Sequence, residues 1–540
     1  MEKSIKGDIF GGATAAVVAL PLALAFGVSS GAGALAGLYG AIFAGFFATF
    51  FGGTKVQVTG PTGPMTVVMA LVVTHFSVNL SAAFTVVLLA GVLQVLFSGF
   101  GIGRYIKLIP LPVVSGFMSG IGIIIIAIEI GPILGHEIPP GTALEKLTTV
   151  PQMLGATNIY AMLLAVGVLA VLILTPARLT RFIPPPLLAL ILGTVAVQSF
   201  ALDVPLIGTI PTGLPTITIP DIALTEVPFI VRYALVLAFL GSIDSLLTSI
   251  VVDSMTRSHH DSNRELFGQG LGNIASGIFG GLPSAGATMR TLVNVRAGGN
   301  SRLSGVIHSI VLFTIVLGFT QAVSLIPFSV LAGILVKVGI DIIDWQYLKR
   351  IRHEPRAEVV IMLSTLLLTV LVDLITAVAA GFVMASVLFV AKMADSQVKN
   401  ARFSFGADQI EDLSNEEQEI LEEYNGQIVL FHVEGPLSFG SARDVARLLH
   451  SDIDKDVLVI DLRHVPFIDS SASAAIDEVI QRLNHDGDTV LLFGAREPVA
   501  KMLAQTGVLG RLGKDNLVTR RIDALRKARS IIEANEDESV

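Results

Sequence analysis

The chain contains no cysteine, and only 15% of its 540 residues are charged, which is low for a soluble protein. The absence of cysteine excludes disulfide bonds and thiolate metal sites, although it leaves the redox compartment open. The 10 histidines are scattered along the sequence without the spacing of metal ligands. The sequence also lacks a nucleophile–base pair, a metal cage and a phosphate-binding loop, so we expect no enzymatic activity.

What the sequence has in abundance is apolar residues, at 52% of the chain, with a mean hydropathy of +0.73. Runs long enough to cross a bilayer recur from about residue 9 to about residue 393, and we count about fourteen, some of them short. The first residues combine a basic start with an apolar run, as a signal peptide would, but the apolar segments that follow favour an uncleaved first span. The sequence therefore predicts an α-helical polytopic membrane protein.

Lysine and arginine indicate the orientation of the predicted spans. They cluster in five turns: Arg104 and Lys107, Arg178 and Arg181, Arg257 and Arg264, Arg296 and Arg302, and residues 349–356. If spans alternate from a cytoplasmic N-terminus, all five turns are cytoplasmic, and the longer, mainly acidic loops near 135–157 and 203–228 lie outside. An even number of spans places both termini in the cytoplasm, and we expect the chain to lie in the bacterial cytoplasmic (inner) membrane.

The character of the sequence changes after Lys392. A charged segment with a predicted short helix leads into apolar runs at 428–435, 456–464 and 488–494, which are typical of buried strands. Helical patterns at 441–453 and 470–487 alternate with them, which predicts a small α/β domain with a largely parallel sheet. We therefore predict a transmembrane domain at 1–395, a linker at 396–425 and a cytoplasmic domain at 426–540.

Two apolar stretches, 58–73 and 281–295, are interrupted by glycine and proline. In hydrocarbon each unpaired backbone group costs several kcal/mol, so irregular backbone persists only where protein buries it or where it lines a cavity. Two such breaks at corresponding positions in two halves indicate an inverted-repeat transporter with a site at the midplane. Each break ends in a new helix start, which suits an anion. Simple kinks or packing contacts are the alternative.

Asp244 lies near the middle of an apolar span, in LVLAFLGSIDSLLTSIVV. A carboxylate there costs about 2.5–3.5 kcal/mol on insertion scales, so such acids usually face a cavity, a partner or an ion. Thr248, one turn further on, shares its face. Together with unwound carbonyls they provide hard oxygen ligands for a small cation, and protonation of Asp244 is the rival use. The structural alternatives are an acid paired to a neighbouring span and a threonine bonded to its own helix.

These segments resemble the sulfate permease (SulP) family of anion transporters, and within it the sodium-dependent bicarbonate transporters. The resemblance is carried by GDIFGGATAAVVALPLALAFG, GPTGPMTVVMA, GSIDSLLTSIVVDSMTRSHHDSNRELFGQGLGNIASGIFGG and KVGIDIIDWQYLKR. It covers nearly the whole chain, and the C-terminal part is similar to a STAS domain. It implies a seven-plus-seven inverted repeat, divided into core and gate domains with elevator-like movement, and a homodimer aided by STAS. The implied partners are membrane lipid and a small inorganic anion, with no nucleic acid.

By position, the resemblance implies two adjacent sites. The residues implied to bind sodium are Asp244, Thr248, Gly286, Ala287 and Thr288. The residues implied to bind the anion are Thr62, Gly63, Ala287, Thr288 and Arg290. A cation beside the anion raises the affinity for the anion by Coulomb attraction, which would couple the two fluxes.

Arg290 is a difference from the bicarbonate transporters that this chain resembles. Those proteins carry a small uncharged residue at this position. Arginine there resembles the broader family, where it helps to hold an anion. It would strengthen the positive field and favour a divalent or carboxylate substrate, or point away and pair with an acid. We expect sodium-coupled import of bicarbonate. The alternative is sodium- or proton-coupled transport of sulfate or a dicarboxylate such as fumarate, and an anion channel or motor ranks third.

In the STAS-like region, Asp469, Ser470 and Ser471 begin a helix after a buried strand. In anti-sigma-factor antagonists, which this region resembles, a serine of the matching DSSG motif is phosphorylated. Here Ala472 replaces the glycine, and serine at a helix start is commonly an N-cap. We therefore expect docking or dimerisation in preference to regulation through these serines.

Overall fold

The computed structural model describes residues 5–106, 110–136, 143–176, 179, 183–208, 217–218, 222–318, 320–372, 374–400, 402–404, 413–439 and 456–539. The chain divides into two compact units, Met1–Val383 and Met384–Val540. Three of the predicted topology residues, Lys107, Arg178 and Arg181, and the helix predicted at 441–453 lie outside the described residues.

The described residues of the first unit are helical apart from two short strands and the turns between elements. Its first part contains α1 (Ile5–Ser29), α2 (Ala34–Tyr39), α3 (Gly45–Phe51), β1 (Thr59–Pro61), α4 (Gly63–His75), α5 (Leu80–Gly99), α6 (Gly103–Ile106), α7 (Leu111–Ile133), α8 (Ala143–Leu154), α9 (Ile159–Leu174) and α10 (Pro185–Phe200). A π-helical stretch at Gly40–Ala44 joins α2 to α3.

The rest of the helical region repeats the pattern of long helices around one short strand. It contains α11 (Val227–Thr256), α12 (Ser262–Ile278), β2 (Ser284–Gly286), α13 (Thr288–Arg296), α14 (Arg302–Gly318), α15 (Thr320–Ser324), α16 (Phe328–Ile342), α17 (Trp345–Arg350), α18 (Arg356–Leu371) and α19 (Leu374–Asn400). A 3₁₀ turn at Leu224–Glu226 precedes α11.

Six helical segments among the described residues are long and apolar enough to cross a membrane. They are Ile5–Ser29, Ala34–Phe51, Leu80–Gly99, Leu111–Ile133, Leu224–Thr256 and Thr376–Asp395, and the bent pair Thr148–Leu154 and Ile159–Leu174 would make a seventh. Helix α4 has only 13 residues, or about 20 Å at 1.5 Å per residue, which is less than the hydrocarbon core of about 30 Å. The helical membrane architecture is confirmed, and the count of about fourteen spans stays a prediction.

Helices α5 and α12 pack with their backbones unusually close, because glycine lines their contact. A β-carbon at Gly91 would lie 2.6 Å from the carbonyl oxygen of Gly270, and one at Gly277 would lie 2.6 Å from the amide nitrogen of Leu88. Small residues at such contacts allow the close approach that membrane helices use in place of a hydrophobic driving force. This packing fixes α12 beside the two backbone breaks.

The second unit is an α/β domain. It contains β3 (Arg402–Ser404), α20 (Asn415–Glu423), β4 (Ile428–Glu434), β5 (Val457–His464), α21 (Ser470–Asp486), β6 (Thr489–Phe493), α22 (Glu497–Gln505), α23 (Val508–Leu512), β7 (Leu517–Val518) and α24 (Arg521–Ser539). The strand order is β3-β4-β5-β6-β7. Strand β3 pairs antiparallel with β4, and the other pairs are parallel. The prediction of a largely parallel sheet is confirmed.

Both faces of this sheet are covered, because consecutive residues of a strand point to opposite sides. Ile460 of β5 packs in one apolar cluster with Val479 of α21, whereas the adjacent Val459 packs in another with Leu525 of α24. Strand β3 and helix α20, which contains the predicted short helix, come from the predicted linker 396–425 and contribute to this unit.

Candidate functional site

The two backbone breaks meet in the fold. Strand β1 pairs antiparallel with β2, with Thr59 opposite Gly286, Gly60 opposite Ala285 and Pro61 opposite Ser284. The pairing satisfies backbone groups that would otherwise be unpaired among apolar helices. Helix α4 follows β1 and helix α13 follows β2, so both helices begin next to the paired strands. We call this region, which comprises β1, β2 and the two helix starts, the crossing.

Both helix starts keep their N–H groups free of side-chain caps. The residues at the N-cap positions, Thr62 for α4 and Ala287 for α13, make no side-chain hydrogen bond to the helix. The hydroxyl of Thr62 is buried and has no hydrogen-bond partner among the described residues. The first N–H groups of a helix carry the positive end of its dipole. The crossing therefore presents two electropositive helix ends, which is the arrangement that binds an anion.

Asp244 of α11 is partly buried beside the crossing. Its carboxylate is near the hydroxyl of Thr62, without a hydrogen bond among the contacts described, and is attracted by the guanidinium of Arg290, so one neighbour comes from each break. It also lines a small cavity of about 20 Å³ together with Pro64 of α4, Val378 and apolar side chains of α7. A cavity of this size holds about one water molecule. The acid thus faces protein and a cavity, as midplane acids usually do.

Thr248 joins α11 to the second break. It is fully buried, and its hydroxyl donates a hydrogen bond of 2.9 Å to the carbonyl oxygen of Gly286. The hydroxyl of Thr288 lies 2.7 Å from the hydroxyl oxygen of Thr248. One turn earlier, Ser245 accepts a hydrogen bond of 2.9 Å from the amide of Gly286. The bond of Thr248 to another segment, instead of to its own helix, gathers three neutral oxygens near Asp244.

Arg290 lies inside the protein, with 2% of its surface exposed. Its Nη2 donates a hydrogen bond to the carbonyl oxygen of Pro61, so the arginine of the second break reaches across to the first. The guanidinium lies over Gly60, where it leaves no room for a β-carbon. Its Nη1 is buried and has no hydrogen-bond partner among the described residues. Arg290 therefore does not extend to the membrane surface, and its guanidinium lies next to the first break.

A row of polar side chains on α12 hydrogen-bonds to the two strands of the crossing. Our sequence analysis missed it. Glu265 accepts a hydrogen bond of 2.8 Å from Gln269, which donates another of 2.8 Å to the hydroxyl of Thr59. Asn273 bonds both the amide and the carbonyl of Ser284, at 2.8 and 2.9 Å. The signal was the four-residue spacing of Glu, Gln and Asn between glycines, which places all three on one helix face.

Ser470 and Ser471 of the C-terminal unit do not cap the helix that they begin. Asp469 is the N-cap of α21 and accepts a hydrogen bond of 2.8 Å from the amide of Ala472. Ser470 and Ser471 are exposed in the first turn. The expectation that a serine acts as the N-cap is wrong, because the carboxylate of Asp469 already bonds the free amide of Ala472.

The structure brings all eight predicted site residues into one region. Those brought together at the crossing are Thr62, Gly63, Asp244, Thr248, Gly286, Ala287, Thr288 and Arg290. Thr62 and Ala287 are the N-cap residues between a strand and the helix that follows it, and the other six belong to β2, α4, α13 or α11. The site thus assembles from segments more than 180 residues apart in sequence.

Comparison with known proteins relates these features to a family. Residues 5–365 match the sulfate permease family and residues 420–519 match the STAS domain. The chain is 43% identical over 538 residues to the bicarbonate transporter BicA of Picosynechococcus sp., and the match covers 97% of this chain and 95% of that protein.

Two solved structures are also similar to the chain. The transmembrane domain of a cyanobacterial bicarbonate transporter, BicA, is 46% identical and covers 70% of this chain and 98% of its own, with a TM-score of 0.67. The murine anion transporter Solute Carrier 26 family member A9, in its inward-facing state, is only 19% identical. It covers 98% of this chain and 92% of its own with a TM-score of 0.84, so the two proteins share a fold although their sequences have diverged.

Proposed function

Since this chain belongs to the sulfate permease family of transporters and carries a STAS domain, we propose that it imports bicarbonate coupled to sodium. The observation that carries this proposal is the meeting of two uncapped helix N-termini beside Asp244. Positive helix ends and a nearby carboxylate provide one environment for an anion and one for a cation. The similarity to BicA, whose name states bicarbonate transport, supports the choice of anion.

In this proposal the anion lies between the two helix starts. The unpaired hydroxyl of Thr62 and the amide of Gly63 contact it from α4, and Ala287 and Thr288 contact it from α13. The free Nη1 of Arg290 provides a further donor. Donors fixed by the fold before the anion arrives replace its hydration without a large cost of rearrangement.

Sodium occupies the neighbouring oxygen cluster. Its ligands are the carboxylate of Asp244, the hydroxyls of Thr248 and Thr288, and carbonyl oxygens of Gly286 and Ala287. These are hard ligands of the kind that small cations prefer. A cation here neutralises Asp244, which would otherwise repel the anion, and so each ion raises the affinity for the other.

The transport cycle moves this site relative to the membrane. We propose a seven-plus-seven inverted repeat in which a core carrying the crossing moves, elevator-like, against a gate domain and so exposes the site alternately to the two sides of the membrane. The protein lies in the cytoplasmic membrane with both termini inside and forms a homodimer to which the STAS domain contributes. These assignments follow from the basic turns of the sequence and from the family resemblance.

Arg290 supports a second candidate function, the transport of sulfate or a dicarboxylate. It is a buried cation with an unpaired donor next to the two helix ends. An additional positive charge in a site of low dielectric favours a divalent anion over a monovalent one. The coupling ion would then be sodium or a proton.

The test is uptake into proteoliposomes of labelled bicarbonate, sulfate and fumarate, each with and without an inward sodium gradient. We expect bicarbonate uptake that the sodium gradient stimulates, with little uptake of the other two anions. Uptake of sulfate or fumarate alone would replace the proposed substrate. Bicarbonate uptake indifferent to sodium, or anion currents without coupled sodium flux, would contradict the coupling.

A further inference from the structure

A cluster of metal-ligating side chains lies at one end of the sheet in the C-terminal unit, and the proposed transport function does not use it. His432 and Glu434 end β4, and His464 ends the neighbouring strand β5. One potential ligand atom of each lies within 4.8 Å of those of the other two. The imidazole Nε2 of His432 is already 3.1 Å from the carboxylate of Glu434.

An irregularity in strand pairing brings the third side chain into this cluster. His432 pairs with Asp461 and Glu434 pairs with His464, so β5 advances three residues while β4 advances two. In a regular strand, residues three apart point to opposite faces of the sheet. The extra residue of the bulge redirects His464 toward Glu434, and bulges commonly redirect side chains in this way.

The imidazole of His432 is held in the orientation that a metal ligand needs. Its Nδ1 hydrogen-bonds to the carboxylate of Asp461 at 2.8 Å, and this leaves Nε2 directed at Glu434. Asp461 is fully buried and is fixed in turn by Arg463, whose Nη2 and backbone amide donate hydrogen bonds of 2.8 and 3.0 Å. A carboxylate behind the imidazole is the usual outer partner of a histidine that binds a metal.

We propose that His432, Glu434 and His464 bind a zinc ion, with water in the fourth position. In a tetrahedral site with bonds of about 2.0–2.1 Å, ligand atoms lie roughly 3.3 Å apart, which the His432–Glu434 pair nearly matches. His464 is exposed, so its side chain is free to close the remaining distance. Two imidazoles and one carboxylate suit zinc and related transition metals and do not suit magnesium or calcium. The ion would join the ends of β4 and β5.

The experiment uses the full-length chain in detergent, stripped of metal with a chelator and then titrated with Co²⁺. Four-coordinate Co²⁺ gives a characteristic visible absorption, and its displacement by Zn²⁺ reports zinc affinity. We expect one equivalent of Co²⁺ per chain. His464→Asn and Glu434→Gln should each weaken binding at least tenfold. The matched control is His485→Asn, an exposed histidine in the last turn of α21, which should bind like the wild type.

Retention of the full Co²⁺ signal by both His464→Asn and Glu434→Gln would overturn the proposal, as would a wild-type chain that binds no Co²⁺ or Zn²⁺. Both substituted side chains are exposed, so we expect the variants to fold. Equal thermal midpoints in chelator would confirm this, and zinc should raise the midpoints of the wild type and of His485→Asn but not those of His464→Asn and Glu434→Gln. A midpoint that rises equally in the variants would also contradict the assignment.

Discussion

The guanidinium of Arg290 donates a hydrogen bond to the carbonyl oxygen of Pro61, although the two residues are 229 positions apart in sequence. This contact joins the helix that follows the second break to the strand of the first. It also places a buried cation close to the carboxylate of Asp244. Since both proposed sites share this neighbourhood, substitutions here should separate the roles of anion and cation.

Replacing Asp244 tests the cation site. We expect Asp244→Asn to abolish sodium-stimulated uptake while leaving the protein folded, because the amide keeps the shape of the side chain and loses the charge that holds the cation. Uptake is measured in proteoliposomes across a range of sodium concentrations. Asp253→Asn, on the same helix but bonded to His260, is the matched control and should retain stimulation. Unchanged sodium dependence in Asp244→Asn would remove this residue from the cation site.

Replacing Thr248 should change the affinity for sodium more than the affinity for the anion. Thr248→Val keeps the shape and removes the hydroxyl that bonds Gly286, so we expect the half-saturating sodium concentration to rise about tenfold, the equivalent of about 1.4 kcal/mol. The maximal rate should change less. The control is Thr365→Val. Thr365 is also fully buried, but among the contacts described its hydroxyl donates only to the carbonyl oxygen of Ile361 in its own helix. An equal sodium shift in both variants would indicate a general packing effect.

Replacing Arg290 tests whether its side chain binds the anion or only stabilises the fold. If its free N–H binds the anion, Arg290→Gly should weaken uptake about tenfold to a hundredfold, in keeping with about 1.5–3 kcal/mol for a hydrogen bond to a charged group. Arg290→Lys should retain part of the activity. Arg296→Gln, in the last turn of the same helix and exposed, serves as the control. Full bicarbonate transport by Arg290→Gly would instead place this chain with transporters that function with a small residue there.

A buried ion pair should stabilise the C-terminal unit. Glu417 accepts two hydrogen bonds of 3.0 Å from Arg521, and both side chains are buried. Burial alone would raise the pKa of Glu417, but the hydrogen bonds from Arg521 and Ser414 outweigh it and the pKa is lowered. We expect Glu417→Gln to cost about 3 kcal/mol, because it leaves the arginine without its charge partner.

The same pair predicts a pH dependence. Because the folded-state pKa of Glu417 is depressed, its contribution to stability is present above the ordinary pKa of glutamate and is lost as the pH falls through the lowered value. Hydrogen exchange of α20 and α24 in the full-length chain measures this. After correction for the intrinsic pH dependence of amide exchange, the protection of both helices should fall on acidification in the wild type and depend less on pH in Glu417→Gln. Glu416→Gln, which breaks an exposed pair with Arg526, should show little effect, and an equal effect would contradict the argument.

Local patterns in the sequence predicted much of this molecule. The glycine and proline residues at 58–73 and 281–295 identified both breaks, since backbone without hydrogen bonds is excluded from hydrocarbon unless something buries it. Asp244 was identifiable because an acid in an apolar span is costly. The α/β domain followed from strands and helices that alternate at regular spacing.

Relationships between distant segments were not predictable in this way. The bond from Arg290 to Pro61 and the cluster of His432, Glu434 and His464 depend on strand pairing, and register is not encoded by any one segment. His432 and His464 are 32 residues apart in sequence, and they come together through strand pairing and an extra residue in β5. The row of polar side chains on α12 had a visible spacing, but its partners became identifiable only from the fold.

The antiparallel pairing of β1 with β2 also restricts how the protein can open. Pulling the two helix tips apart would strip backbone partners from both strands in an apolar interior, at several kcal/mol for each group left unpaired. Any opening must therefore occur around the crossing, by displacement of the helices that enclose it. The crossing itself would move as a rigid body together with its bound ions. The distances between β1 and β2 should therefore stay constant through every stage of the cycle.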